Sequence, residues 1–361
     1  MKEGHPVTRN RNLALGAVAA AIICVCAAAS FSARASSPQA APPPTGYHLA
    51  KKLNLGGGGG WDYLTFDSRR RRVFISRATH TLVVDAEGKK VGDIPNTQGV
   101  HGIALAQELN RGFTSNGRSN TVTIFELSTL KTLREIDVKG QNPDAILYDS
   151  ASRRVFTFNG RSHDATAIDA KTGEIAGNIP LAGKPEFAQA DGAGHIFVNI
   201  EDKSEISEID SHELKVANTW PLAPCQEPSG LAFDVAHKRL FAGCDNRMMA
   251  VVDSDSGKVV TTIPIGDGVD ANAFDPETGF VFASCGEGTL TVAHQDSPDK
   301  YTVVESVPTQ KGARTMALDP KTHTVYLVTA GFGPPPAPTA DDPKPRPAIL
   351  PDSFTLLIFT K

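Results

Sequence analysis

Short runs in which apolar and polar residues alternate recur along this chain at a fixed interval. The clearest copy is Leu231 to Gly266, LAFDVAHKRLFAGCDNRMMAVVDSDSGKVVTTIPIG. Four strands are legible in it: LAFD, RLFAG, MMAVVD and KVVTTIPI, the last two joined by DSDSG, whose Asp, Ser and Gly suit a tight turn. Anchored on the residue that ends the first strand, the unit recurs at Asp67, Ala106, Asp149, Asp191, Asp234, Asp275 and Asp319, at spacings of 39, 43, 42, 43, 41 and 44 residues. Seven residues further on an aromatic returns as Phe74, Phe113, Phe156, Phe241, Phe282 and Tyr326, with Phe197 one place early in the fourth unit. A four-stranded unit of this length, repeated seven times, predicts an all-β, seven-bladed β-propeller, because each small sheet must bury both faces against its neighbours.

The two ends of the chain complete the count. The seventh unit has three strands, in RTMALD, TVYLVTA and SFTLLIFTK, and no fourth, whereas Tyr47 to Leu55, YHLAKKLNL, alternates like a strand but precedes the first whole unit. The N-terminal strand is therefore expected to complete the last blade and remove the open sheet edges. Between the second and third strands of that blade, residues 331–352 (GFGPPPAPTADDPKPRPAILPD) form a Pro-rich loop, and a loop of that length is usually functional or disordered.

Ahead of the propeller, expected over 47–361, residues 1–35 carry a basic start, an apolar run from Leu13 to Phe31 and the small-residue site Ala33-Arg34-Ala35. They are read as a secretory signal peptide, with an uncleaved anchor as the competing reading. Residues 36–46 are read as a Pro-rich linker that does not pack. Localisation is accordingly expected to be periplasmic or secreted, with no membrane span after cleavage, and the protein a monomer. Cleavage would take the chain from 36 Lys+Arg and 40 Asp+Glu to 32 and 39, a net charge of about −7, which argues against nucleic acid as a partner. The one basic cluster, Arg69 to Arg72, falls in a turn and is read as solvated.

Three cysteines follow the signal. Cys244 and Cys285 end equivalent strands of adjacent blades, about 10 Å apart on ordinary strand spacing and out of bridging reach. Cys225 and Cys244 flank antiparallel neighbours within one blade and are the candidate disulfide; three buried thiols is the alternative.

The loops that enter each inner strand should surround the mouth of the axial channel. Five residues before each anchor stand Asp62, His101, Asp144, Glu186, Ser229, Asp270 and Arg314, all polar. At about 6 Å between neighbours, several could meet one small polar ligand, and Asn116 and Asn159, at the ends of second strands, are further candidates for the same rim. Such a mixed-charge cup suits a cation, or a polar molecule whose acidic group is held by Arg314; capping of turns by these side chains is the structural alternative. Zinc-type ligand spacing, G-x-S-x-G, a P-loop and C-x-x-C are all missing from the sequence.

The segments VFTFN (155–159) and GFTSN (112–116), with NPDAILYD (142–149) and EPSGLAFD (227–234), resemble the second and inner strands of the YVTN-repeat propellers. The resemblance implies a seven-bladed exported propeller of the YncE-like kind. Cys285 and Thr329 depart from it, standing where the terminal Asn would be. Two functions are expected on these grounds: a binding or interaction propeller taking a small polar ligand or a protein partner, or a lactonase-like hydrolase or lyase. For the second the resemblance implies a divalent metal on rim side chains, with Asp62, Glu186, Asn159 and Asp270 as the candidates.

Overall fold

The computed structural model describes Met1 and residues 45–339 and 345–361. The signal segment and the linker up to residue 44 lie outside the described residues. Within them the chain forms seven four-stranded antiparallel sheets. Six are continuous in sequence, their inner strands being Leu64–Asp67, Val100–Ala106, Pro143–Asp149, Pro185–Ala190, Pro228–Asp234 and Val269–Asp275. The seventh is composite: Met316–Asp319, Thr324–Thr329 and Thr355–Thr360 are joined by His48–Asn54 as the outermost strand. That strand runs antiparallel to Thr355–Thr360, from His48 opposite Thr360 to Asn54 opposite Thr355. Two 3-10 turns, Gln107–Leu109 and Glu201–Lys203, are the helical segments among the described residues, and no helix there is long and apolar enough to cross a membrane.

The core lies between blades. The recurring aromatics Phe74, Phe113, Phe156, Phe241, Phe282 and Tyr326 are buried, each among residues of its own sheet and the next. Closure extends one residue beyond the last strand: Tyr47 is buried, packs edge-on against Phe282 at 5.3 Å, and donates its hydroxyl hydrogen bond to the His323 carbonyl at 2.8 Å. Thr45 is also buried, its N–H bonded to Glu305 at 2.9 Å. The expected linker therefore packs at its C-terminal end, because Glu305 offers an acceptor there.

The anchor aspartates have a physical role on the face away from the channel mouth. Asp67, Asp149, Asp234, Asp275 and Asp319 are buried and accept hydrogen bonds from backbone N–H groups of the turns that follow. Several also tie blades together: Arg71 reaches Asp319 at 2.7 Å, and His323 reaches Asp275 at 2.7 Å. The reading of Arg69 to Arg72 as a solvated turn is corrected here. Arg70 bonds Asp67, Gln107 and Asn110, and Arg72 donates to the Leu127 carbonyl of the second blade. The same bolt recurs at the first residue of later second strands, from Arg111 to the Ala170 carbonyl, Arg154 to that of Ser211 and Arg239 to that of Pro298.

Cys225 and Cys244 form a disulfide, with Cα atoms 5.6 Å apart, and Cys285 is a buried free thiol.

Candidate functional site at the channel mouth

A bulge recurs at one point in the repeat. In blades two to six the pairing of inner and second strands shifts register between Val100 and Ile103, Pro143 and Ile146, Pro185 and Ala188, Pro228 and Leu231, and Val269 and Ala271. The polar residue of each blade, His101, Asp144, Glu186, Ser229 or Asp270, lies inside that shift. A bulge re-aims the side chain it carries, and here five such side chains are brought to one rim. Small polar residues of the second strands set the spacing. Ser76 accepts from Asp62 N at 2.7 Å and Ser115 from Gly102 N at 2.9 Å. Ser115 and Ser284 also donate to the carbonyls of Asp144 and Arg314 in the following blades, and Asn199 donates to that of Ser229 at 2.8 Å.

Two charge clusters result. His101 Nδ1 lies 2.6 Å from Asp62 Oδ2 and 3.5 Å from Asp144 Oδ1. Across the rim, Arg314 lies 2.7 Å from Asp270 Oδ2, and Ser229 donates to Asp270 Oδ1 at 2.9 Å. The Arg314 contact is ionic only, since Asp270 Oδ2 is buried and accepts no hydrogen bond. Glu186 stands near the first cluster and is paired with Lys184 at 2.6 Å, which also reaches Glu201.

Crowding perturbs these groups. Burial and the charge of Asp144 push the Glu186 carboxyl up to about 8, against a smaller opposing effect from Lys184. Asp144 rises to about 6 through burial, with His101 opposing. For His101, burial alone would lower the value; the bond to Asp62 and the carboxylates around it prevail and carry the imidazole to about 9. Asp270 is raised by burial, while the charge of Asp270 raises Arg314. Both the His101 imidazole and the Glu186 carboxyl therefore keep their protons to higher pH than they would in water.

Beneath the cup an aromatic pair bridges the axis. Tyr63 and Phe187, each one residue deeper than a cup member, meet edge to face at 4.9 Å. Burial, then the fields of Asp144, Glu186, Asp62 and Asp270, raise the Tyr63 phenol far above its ordinary value.

The asparagines do not join this site. Asn116 and Asn159 are buried, their amides turned into their own blades. Asn116 donates to Thr123 at 2.8 Å and accepts from Thr114 at 2.9 Å; Asn159 donates to Asp164 at 2.7 Å and to Thr166 at 3.0 Å. Strand-end position predicted a rim location, but an apolar inter-blade layer makes internal pairing of the amide the stable solution.

Sequence reasoning missed Lys184 and the Tyr63–Phe187 pair, and it missed a cavity. About 600 Å³ of space opens from the Asp270–Arg314 side of the cup, lined also by Trp61, Glu227, Asp245, Lys311, Phe332 and Arg346. Its outer wall is the base of the Pro-rich loop, where Phe332 bridges Ile349 and Gly333 N donates to the Ala348 carbonyl at 2.8 Å. Arg77 steadies the adjoining glycine run. It is buried, lies 3.5 Å over the Phe354 ring, and donates to the carbonyls of Gly56 and Gly58 at 3.3 and 2.8 Å.

Seven closed sheets around a mouth of this kind can be compared with known structures. The chain is a seven-bladed β-propeller. A chain of the mitotic checkpoint complex superposes with a TM-score of 0.70 over 91% of this chain and 97% of its own, at 12% identity. A chain of hydrazine synthase from Kuenenia stuttgartiensis gives 0.66 over 76% and 94%, at 16% identity. At these identities the likeness is one of fold alone. No family model and no curated protein matches the sequence.

Proposed function

We propose that this protein is an exported, YncE-like propeller that holds a small polar ligand at its channel mouth. One observation carries the reading: ionisable side chains from separate blades converge on the rim, four carboxyl groups among them, above the Tyr63–Phe187 ring contact. Burying like charges together costs stability, and arrangements of that kind persist where a ligand uses them. Concave sites with a few convergent polar groups are where small molecules bind. The Cys225–Cys244 disulfide supports export, since such bonds persist in oxidising compartments. A propeller also offers wide outer surfaces, and one structural neighbour is part of a checkpoint complex; a protein partner on those surfaces is compatible with a ligand in the cup.

A second reading, the metal-dependent hydrolase, has its own observation. One ligand atom each of Asp62, His101 and Asp144 lie within 4.8 Å of one another, a set that divalent cations accept. The bond from His101 Nδ1 to Asp62 Oδ2 at 2.6 Å weighs against it, because that pair would have to part for both to turn to a metal. Melting curves with and without Mg²⁺, Ca²⁺, Mn²⁺ and Zn²⁺ separate the two. A bound ion raises the melting temperature by mass action, whereas the ligand-cup reading expects no shift and expects native mass spectrometry to find a small molecule retained by the protein. A saturable metal shift together with no retained molecule would overturn the preferred reading.

A further inference from the structure

The cavity beside the cup has two oppositely charged walls. Glu227 and Asp245 stand on blade five, before its inner strand and after its second; Lys311 precedes the inner strand of blade seven, and Arg346 projects from the Pro-rich loop. Among the described residues none of the four makes an ion pair, although pairs close nearby at Lys184–Glu186 and Arg314–Asp270. Blade six, which separates the walls, contributes Gly268, Val269 and Gly286 there, and also Asp270, whose charge is taken up by Arg314 at 2.7 Å. The third side is apolar: Trp61 packs against Phe332 at 6.2 Å, with Pro347 and Ile349 beyond.

A ligand matching all three sides needs a cation, an anion and an apolar body in one small molecule. The walls lie two blades apart, about 12 Å along the rim from the same spacing, and the reach of the side chains shortens the gap. An amino acid, whose charges sit on neighbouring atoms, is too short to meet both. An extended dipeptide spans about 7 Å. A cavity of about 600 Å³ is ample for such a molecule.

We propose that the cavity binds a free apolar dipeptide, its ammonium toward Glu227 and Asp245, its carboxylate toward Lys311 and Arg346, and its side chains against Trp61 and Phe332. The proposal rests on the channel-mouth ligand reading and supplies its chemical class. It also gives the Pro-rich insertion a task, since the loop provides one cation and most of the apolar wall.

Calorimetric titration of the purified protein with leucyl-phenylalanine tests it, alongside the N-acetylated and C-amidated forms. The free dipeptide is expected to bind, and each blocked form to bind at least about tenfold more weakly, as loss of a charge-assisted contact implies. Amidation should cost nothing further in the Lys311→Ala/Arg346→Ala variant, and acetylation nothing further in Glu227→Gln/Asp245→Asn. Gly60→Leu provides a steric control: Gly60 lines the cavity, and a Cβ built there meets no atom within 4 Å, so binding should vanish with the melting temperature unchanged. Equal binding of free and blocked forms, undiminished binding by Gly60→Leu, or no binding at millimolar dipeptide would each overturn the proposal. If the dipeptide fails while a co-purifying molecule is still lost from Arg314→Ala, the ligand class alone falls; if neither is held, the channel-mouth reading falls with it.

Discussion

Tyr63 of blade one and Phe187 of blade four touch ring to ring at 4.9 Å and 71°. Those blades are not neighbours, so the contact spans the axis beneath the cup. Phe187 is half-buried, so Phe187→Ala is expected to lose about 1.5 kcal/mol, and Phe187→Leu, which keeps most of the volume, clearly less. Chemical denaturation measures both, and equal, negligible losses would show that the pair is not a packed element.

The cup also sets the sign of a pH dependence. Glu186 titrates near 8 against an ordinary 4.5, Asp144 near 6 against 3.8, and His101 near 9 against 6.5. In each case the folded value is the higher, so the native state binds more protons between the two values. The associated stability is present in full below the ordinary value and is lost as pH rises through the folded one. The melting temperature of the wild type should therefore fall from pH 5 to pH 9. Glu186→Gln should flatten that decline and be the more stable protein at pH 9. Parallel curves for the two proteins would contradict the assignment.

Asn116 and Asn159 are expected to behave as structural residues. Replacing either by Ala strands buried hydroxyl groups that the amide now satisfies, Thr114 and Thr123 for Asn116 and Thr157 for Asn159. A loss of about 1–3 kcal/mol is expected for each, with retention of ligand unchanged by native mass spectrometry.

Closure of the ring is tested at Tyr47. Its ring packs on Phe280 and Phe282 at 6.3 and 5.3 Å, and its hydroxyl is bonded across to His323. Tyr47→Ala should cost about 3–5 kcal/mol and, by loosening the outermost strand of the last blade, promote aggregation through the exposed edge. Urea denaturation and light scattering read the two effects.

How much of this could be read from the chain alone depends on whether a feature repeats. Spacing placed the blades, the shared seventh sheet and the residues from Asp62 to Arg314 on one rim, because a period of two fixes which face of a strand a residue occupies. It did not reveal the bulges that aim those residues, since a register shift leaves the alternation of the flanking positions intact. It sent Asn116 and Asn159 to the rim because strand-end position says nothing about which way a polar side chain turns. Tyr63 meeting Phe187 and Lys184 serving both Glu186 and Glu201 are contacts made once each. No periodic signal carries them. The arginine bolts at Arg72, Arg111, Arg154 and Arg239 do repeat, and the recurrence of Arg at the first position of a second strand was a signal available in the sequence.

The central claim is that the polar ring holds a ligand rather than capping turns. Melting temperature and retained ligand, the latter by native mass spectrometry, should be measured together for wild type, Glu186→Ala and Arg314→Ala. The account predicts that both variants lose the retained molecule while melting within a few degrees of wild type, because residues arranged for binding are seldom optimal for stability. Variants that melt clearly lower, as lost caps worth about 1–2 kcal/mol would make them, yet retain ligand as the wild type does, would contradict it.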